Sequence, residues 1–212
     1  MKTNKLVLSL AIAGVVFLAS CSNSSQKQTE QSADQTMNAT QIENVEINLA
    51  DSRVAWKGEM LGVYSHTGTV GLTNSEINFS EGKISGGNFT VDLTSMIPTD
   101  NNYNPEEGST PEKLVGHLSS PDFFDVENYP TATFEILSVD GNTAYGNLTV
   151  RGKTHEEKVE NIEIKEDGDQ VQITGELVFD RKKYDVSWDS PIKDRILSSD
   201  IEINVALAGK KS

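Results

Sequence analysis

From about residue 44 to the end of the chain, apolar side chains recur every second residue. That period belongs to strands with one buried face, and it excludes a helical body, whose period is 3.6. Val171, Ile173, Gly175, Leu177 and Phe179 alternate with Gln172, Thr174, Glu176 and Asp180, and only Val178 breaks the polar face. Ile201, Ile203, Val205 and Leu207 alternate with Glu202, Asn204, Ala206 and Ala208. The same pattern joins Ala144, Gly146, Leu148 and Val150, and again Phe89, Val91 and Leu93. One wet and one buried face is the signature of antiparallel sheets.

Turn chemistry punctuates the runs. Glu81-Gly82, Asp140-Gly141-Asn142 and Glu166-Asp167-Gly168-Asp169 supply residues that tolerate positive φ, so each predicts a hairpin. The spacing gives roughly eight to ten strands, a barrel or a sandwich. One segment departs from it. Thr110 is placed as an N-cap, Pro111 at the first helical position and Glu112 in the first turn, which predicts a short helix near residues 111–119. The long acidic loop before it, Pro98 to Ser109, is of a length that usually serves function.

The N-terminus has a different character. Lys2 and Lys5 precede an uncharged run from Leu6 to Leu18. That run is shorter than the about 20 apolar residues of a membrane span and matches a signal-peptide core. Leu18-Ala19-Ser20-Cys21 follows and resembles the bacterial lipobox, whose cysteine receives a diacylglyceryl group. Residues 1–20 are therefore expected to be a lipoprotein signal peptide. Cys21 is the expected lipidation site, and residues 21–43, rich in Ser, Gln, Thr and Asn, a flexible polar tether. The folded domain is expected over 44–209. The expected location is the bacterial cell envelope, on the outer membrane facing the periplasm and held by the Cys21 lipid. Cys21 is the single cysteine, so no disulfide, thiolate nucleophile or cysteine-based metal site is available. The chain carries 18 basic and 32 acidic side chains, a net −14; without Lys2 and Lys5 the balance is 16 against 32, or −16. Such a charge repels nucleic acid, which is excluded as a partner.

The run Lys113 to Phe134 contains His117-Leu118-Ser119-Ser120-Pro121-Asp122-Phe123-Phe124-Asp125, then Tyr129-Pro130 and Phe134. It resembles the signature of the YceI-like family, H-L-x-S-x-D-F-F-D-x-x-x-Y-P-x-x-x-F. Val54-Ala55-Trp56-Lys57-Gly58, His66 to Val70, Gly86 to Asp92, Gly146 to Thr154 and Phe179 to Tyr184 resemble further family segments in order. The resemblance covers Val45 to Leu207. It implies an all-β fold: a single eight-stranded antiparallel lipocalin-like barrel whose interior holds a long apolar lipid, typically an isoprenoid. The chain differs from the family pattern in its lipobox, in its long Pro98-to-Ser109 loop, and in Asp185, which follows Tyr184 where many members have glycine.

On the residues alone, inward Ala144, Gly146 and Gly175 fit two situations equally: a lumen kept open by small side chains, or a packed core with glycines at bends. The resemblance favours the lumen. Trp56, Phe89, Phe123, Phe124, Phe134, Phe179 and Trp188 are the candidate apolar wall, since aromatics bury the most area each. Phe123 and Phe124 are adjacent and are expected to face different ways. Arg181 continues the inward parity of the run ending at Phe179 and is the candidate head-group contact, with His117 beside the mouth. The expected ligand is an isoprenoid or quinone-like long-chain lipid, held by an envelope carrier or sequestering protein. The alternative is a structural or stress-related envelope module with a packed barrel. No catalytic residue, metal or cofactor is expected. His66, His117 and His155 lack ligand spacing, and Asp100 to Asn104 imitates a calcium loop but has Pro105 and Pro111 where that loop needs glycine and glutamate.

Overall fold

The computed structural model describes residues 42–211. The expected signal peptide, Cys21 and all but the last two residues of the expected tether lie outside the described residues. The elements are β1 (Ile42–Ile47), β2 (Arg53–Met60), β3 (Tyr64–Ser80), β4 (Lys83–Pro98), α1 (Pro111–Ser119), β5 (Thr131–Asp140), β6 (Thr143–Val150), β7 (Lys153–Asp167), β8 (Gln170–Asp180) and β9 (Leu197–Lys211).

The sheet closes on itself. Each strand from β2 to β9 pairs antiparallel with the next, and β9 pairs back with β2. Antiparallel neighbours alternate in direction, so a ring of this kind closes only with an even number of positions. Here there are eight positions for nine strands, because β1 and β2 share one. β2 pairs the first half of β3 (Val54 opposite Val70), and β1 pairs the second half (Val45 opposite Ile77). Both also pair β9. The turn between them is tied by the amide of Asn48 donating to the carbonyl of Ala208 at 2.8 Å. The expected eight-stranded antiparallel barrel is thus the observed architecture, with one position spliced from two segments.

The two ends of the barrel differ. At one end the three expected hairpins form: Glu81 and Gly82 both have positive φ (54° and 73°), and Gly141 and Gly168 adopt φ of 60° and 59°. Val45, Ile47, Phe79 and Val171 pack there as a plug, with Phe79 fully buried. The opposite end carries the long connections, residues 99–130 and 181–196, and these form a cap. α1 belongs to it and begins as expected, with the Thr110 side chain accepting from the Lys113 amide and Pro111 at the first position. Leu118 is its buried residue.

Gly146 and Gly175 divide between the two situations left open by the sequence. A Cβ on Gly146 would lie 2.2 Å from the Glu135 carbonyl oxygen and 2.7 Å from the Phe134 ring, so that recess is filled by Phe134. Gly175 faces the interior cavity, although a Cβ there would meet Val159 at 2.7 Å. Each lies opposite a strand irregularity, in β5 between Ile136 and Ser138 and in β7 between Glu160 and Glu163.

Two glycine substitutions separate these constraints in urea unfolding. Gly146→Ala is expected to cost about 1–3 kcal/mol, because the added methyl displaces backbone and ring. Gly116, exposed in α1 with nothing near its Cβ position, is expected to gain about 0.5–1 kcal/mol as alanine through helix propensity.

Candidate functional site

Inward side chains of the eight barrel positions surround a cavity of about 300 Å³, at the lower bound of ligand pockets. Its wall is supplied at period two. Tyr64, His66, Val70 and Leu72 come from β3, Phe89, Val91 and Leu93 from β4, and Ile201, Ile203, Val205 and Leu207 from β9. Among the described residues, no Lys, Arg, Asp or Glu contributes to the wall. The plug closes the hairpin end. At the capped end the lining residues Tyr64, Leu114, Trp188 and Leu197 are only half-buried.

All seven aromatic candidates, Trp56, Phe89, Phe123, Phe124, Phe134, Phe179 and Trp188, line this cavity. Trp56 lies across Gly68, where a Cβ would approach the indole to 2.2 Å, and its Nε1 donates to the Thr69 carbonyl at 3.3 Å. Phe123 and Phe124 both face the cavity, with ring centroids 4.9 Å apart and edge to face. This corrects the expectation that they diverge. Residues 121–124 form a turn rather than a strand, so successive side chains need not alternate.

Arg181 is fully buried, as its parity requires, but it does not line the cavity. Its Nε donates to the Ser198 carbonyl at 2.9 Å, and Nη1 to the Val186 carbonyl at 2.6 Å. Nη2 pairs with Asp189 at 3.3 Å. Desolvation lowers its pKa, opposed by Asp189. The guanidinium is therefore a clamp on the β8–β9 connection, and the head-group role expected for it is replaced by this one. Arg151 does the same from the β6–β7 turn, donating to the carbonyls of Pro121, Phe123 and Asp185. Lys182 pairs with Asp189 and Lys183 with Glu157, so the basic cluster 181–183 is engaged within the cap. Tyr184 is buried between them, and burial, with Glu157 nearby, pushes its phenol far above the usual range.

The sequence reading missed one polar group at the cap. His66 lines the cavity, and its Nδ1 lies 3.1 Å from Asp100. Tyr103 stacks on the imidazole at 5.0 Å and donates its hydroxyl to Asp100 at 3.2 Å. Burial would raise the Asp100 pKa, but the amides of Thr67 and Asn102 and the His66 contact outweigh it and hold the carboxyl below its usual range. Burial, then Asp100, pushes the Tyr103 phenol up to about 12. The stretch that imitated a calcium loop is thus a carboxylate organising its own loop against β3. The signal was present in parity, since His66 is in step with Val70 and Leu72. His117 also lines the cavity, with its ring edge to face with Trp188 at 4.7 Å and Phe123 at 5.5 Å. Its Nε2 is shut off from solvent and has no hydrogen-bond partner.

Residues 45–208 match the model of the YceI-like domain family. Among curated relatives, a UPF0312 protein of Staphylococcus aureus is 35% identical over 83 residues, covering 36% of this chain and 48% of the relative. A UPF0312 protein of Staphylococcus epidermidis is 31% identical over 108 residues, covering 48% of this chain and 63% of the relative. The chain thus spans about half to just under two thirds of the length of these relatives. Among solved structures, BcnA of Burkholderia cenocepacia aligns with a TM-score of 0.61 at 21% identity, covering 77% of this chain and 99% of that one. A polyisoprenoid binding domain from Saccharophagus degradans aligns with a TM-score of 0.52 at 10% identity, covering 81% of this chain and 100% of that one. At such identities the likeness is one of fold.

Arg181→Ala leaves the buried Val186 carbonyl and the half-buried Ser198 carbonyl without their donor. It is expected to cost about 3 kcal/mol in urea unfolding. The Asp189 pair adds little to this, because that carboxylate is largely exposed. Asp100 sets a pH dependence. Its depressed pKa stabilises the fold above the usual carboxylate range, and that contribution is lost as pH falls through the folded value. The stability difference between the wild type and Asp100→Asn is therefore expected to shrink as pH drops below about 4.

Proposed function

We propose, for a chain that belongs to the YceI-like domain family, that the barrel holds one long apolar lipid of isoprenoid or quinone-like type. In this reading the protein is a non-catalytic carrier or sequestering protein. The observation that carries the proposal is the wall of the cavity: aromatic and aliphatic side chains from all eight barrel positions, with no charged side chain among them. The Saccharophagus degradans domain, described as polyisoprenoid binding, supports the choice of ligand through its shared fold. Each CH₂ moved from water into such a wall gains about 0.8 kcal/mol.

The proposal extends to place. With Cys21 lipidated, the protein is held in the bacterial envelope, on the outer membrane facing the periplasm. β1 enters the barrel beside the hairpins, where Ile42 lies opposite Ser80. A tether preceding β1 therefore enters the barrel at the plugged end. Leu61, Val63, Ile192 and Ile196 are exposed at the capped end, and the Leu61 amide donates to the Ile196 carbonyl at 2.8 Å, which sets the two segments side by side. Such a rim suits exchange with an apolar phase.

The test is purification from the membrane fraction in mild detergent, organic extraction and mass spectrometry. One long-chain lipid per protein is expected. Val91→Trp, which fills the middle of the cavity, is expected to lower that occupancy at least tenfold while the protein stays folded. A protein that carries no lipid in either form would instead be a structural module with an idle barrel. Absence from the membrane fraction would remove the anchor.

A further inference from the structure

On its β2–β9 side the cavity wall runs out into an exposed apolar rim. Met60 lies opposite Tyr64 on β3 and opposite Leu197 on β9, and all three line the cavity. Their neighbours in sequence at this end, Leu61, Val63 and Ile196, are exposed. The Leu61 amide donates to the Ile196 carbonyl, which holds the β2–β3 turn against the entry to β9. Ile192, also exposed, stands on the turn before it, where the Arg195 amide donates to the Ile192 carbonyl at 3.2 Å. Four large aliphatic side chains left in water at one mouth mark a contact surface rather than scattered surface residues.

The charge around the rim says what it contacts. Lys193 and Arg195 are exposed beside it, and among the described residues neither side chain has an ion pair or a hydrogen bond. Lys182 and Lys183, in contrast, are paired with Asp189 and Glu157. Residues 61–63 and 190–196 hold these two cations and one carboxylate, Asp194, hence a net +1 in a chain of net −14. Aliphatic tips flanked by unpaired cations fit the surface of a bilayer with anionic lipid. The tips enter the acyl boundary, while Lys and Arg lay their stems along it and keep their heads among the phosphates. A second copy fits less well, since a two-fold contact would bring the same cations together. Glu106, Glu107 and Glu112 belong to the connection after β4 and are repelled by such a surface, so the contact is made on the β2–β9 side of the mouth.

We infer that Leu61, Val63, Ile192 and Ile196, flanked by Lys193 and Arg195, form a docking face for a bilayer containing anionic lipid. Docking there sets the cavity mouth against the acyl chains. Its role in exchange rests on the lipid-binding reading above; the contact itself needs no cargo in the lumen.

The full chain is reconstituted into vesicles of phosphatidylcholine, alone or mixed with phosphatidylglycerol; a chain recovered without a lipid anchor is mixed with the same vesicles. Val63→Cys and Val178→Cys each carry an NBD fluorophore, with the wild type as labelling control. The two valines are matched in exposure, 52% and 51%, but Val178 lies on β8. In mixed vesicles, lipids brominated on their acyl chains are expected to quench the Val63 probe about threefold more than the Val178 probe. Omitting phosphatidylglycerol, or combining Lys193→Gln with Arg195→Gln, should lower the Val63 signal about threefold. Leu61→Ser with Ile196→Ser should reduce it to the Val178 level while urea unfolding stays unchanged, because both side chains are exposed. Equal quenching at the two positions overturns the inference, whatever lipid extraction recovers. So does a Val63 signal indifferent to phosphatidylglycerol and to the glutamine pair. A Val63 emission that shifts with protein concentration in detergent, without vesicles, marks a contact between copies and overturns it as well. Selective quenching on a protein from which no lipid is extracted supports the docking face and removes only the lipid-binding reading.

Discussion

Ring closure is the constraint on which the rest of the molecule depends. Once β9 pairs with β2, the sheet closes and each of its eight positions has a paired neighbour on both sides. Closure fixes the width of the interior, and eight positions leave room for side chains or one slender guest. It also forces every second residue inward, which is why the chain must be so regular in its apolar period. The β1–β2 splice follows from the same demand. A single strand would need to bend at residues 48–52, whereas two segments joined by a turn let Val45 and Ile47 enter the plug and Val54 and Trp56 enter the wall.

The cap obeys a different logic. Its segments are not strands, so their backbone carbonyls have no ladder to join. Two guanidiniums supply the missing donors: Arg151 reaches Pro121, Phe123 and Asp185, and Arg181 reaches Val186 and Ser198. The bonds of both arginines converge on consecutive residues, Asp185 and Val186, and so fasten the two long connections to one place. Cations that a sequence reading assigns to a ligand are here consumed in satisfying the protein's own backbone, the usual fate of a buried polar group.

That difference explains what was legible in the sequence. β8, β9 and the hairpins at Gly82, Gly141 and Gly168 follow from local period and turn chemistry, and so does α1 from Thr110 and Pro111. The inward position of Arg181 was also readable, because parity is local. Its partners were not. Ser198 and Val186 approach it only through the path of the β8–β9 connection, which no period encodes. The pairing of His66 with Asp100 is likewise a tertiary fact, since those residues lie on β3 and on the loop after β4. The shared direction of Phe123 and Phe124 reflects a turn whose residues happen to lie within a motif. Bulges opposite Gly146 and Gly175 depend on register between strands, and register is set by the whole ring.

An uncharged lumen has an energetic consequence for any lipid that a barrel of this design would hold. A lipid leaving a bilayer exchanges one apolar surrounding for another, so the large transfer energy that favours burial from water nearly cancels. What remains to discriminate ligands is small: the fit of the chain against rings such as Trp56, Phe89 and Phe134, and whatever the polar end finds beneath the cap. Among the described residues the wall holds no Lys, Arg, Asp or Glu, so a charged end drawn into the lumen would leave its hydration without a counter-charge there. A preference for apolar chains is thus built into the wall itself, and discrimination among such chains falls to shape.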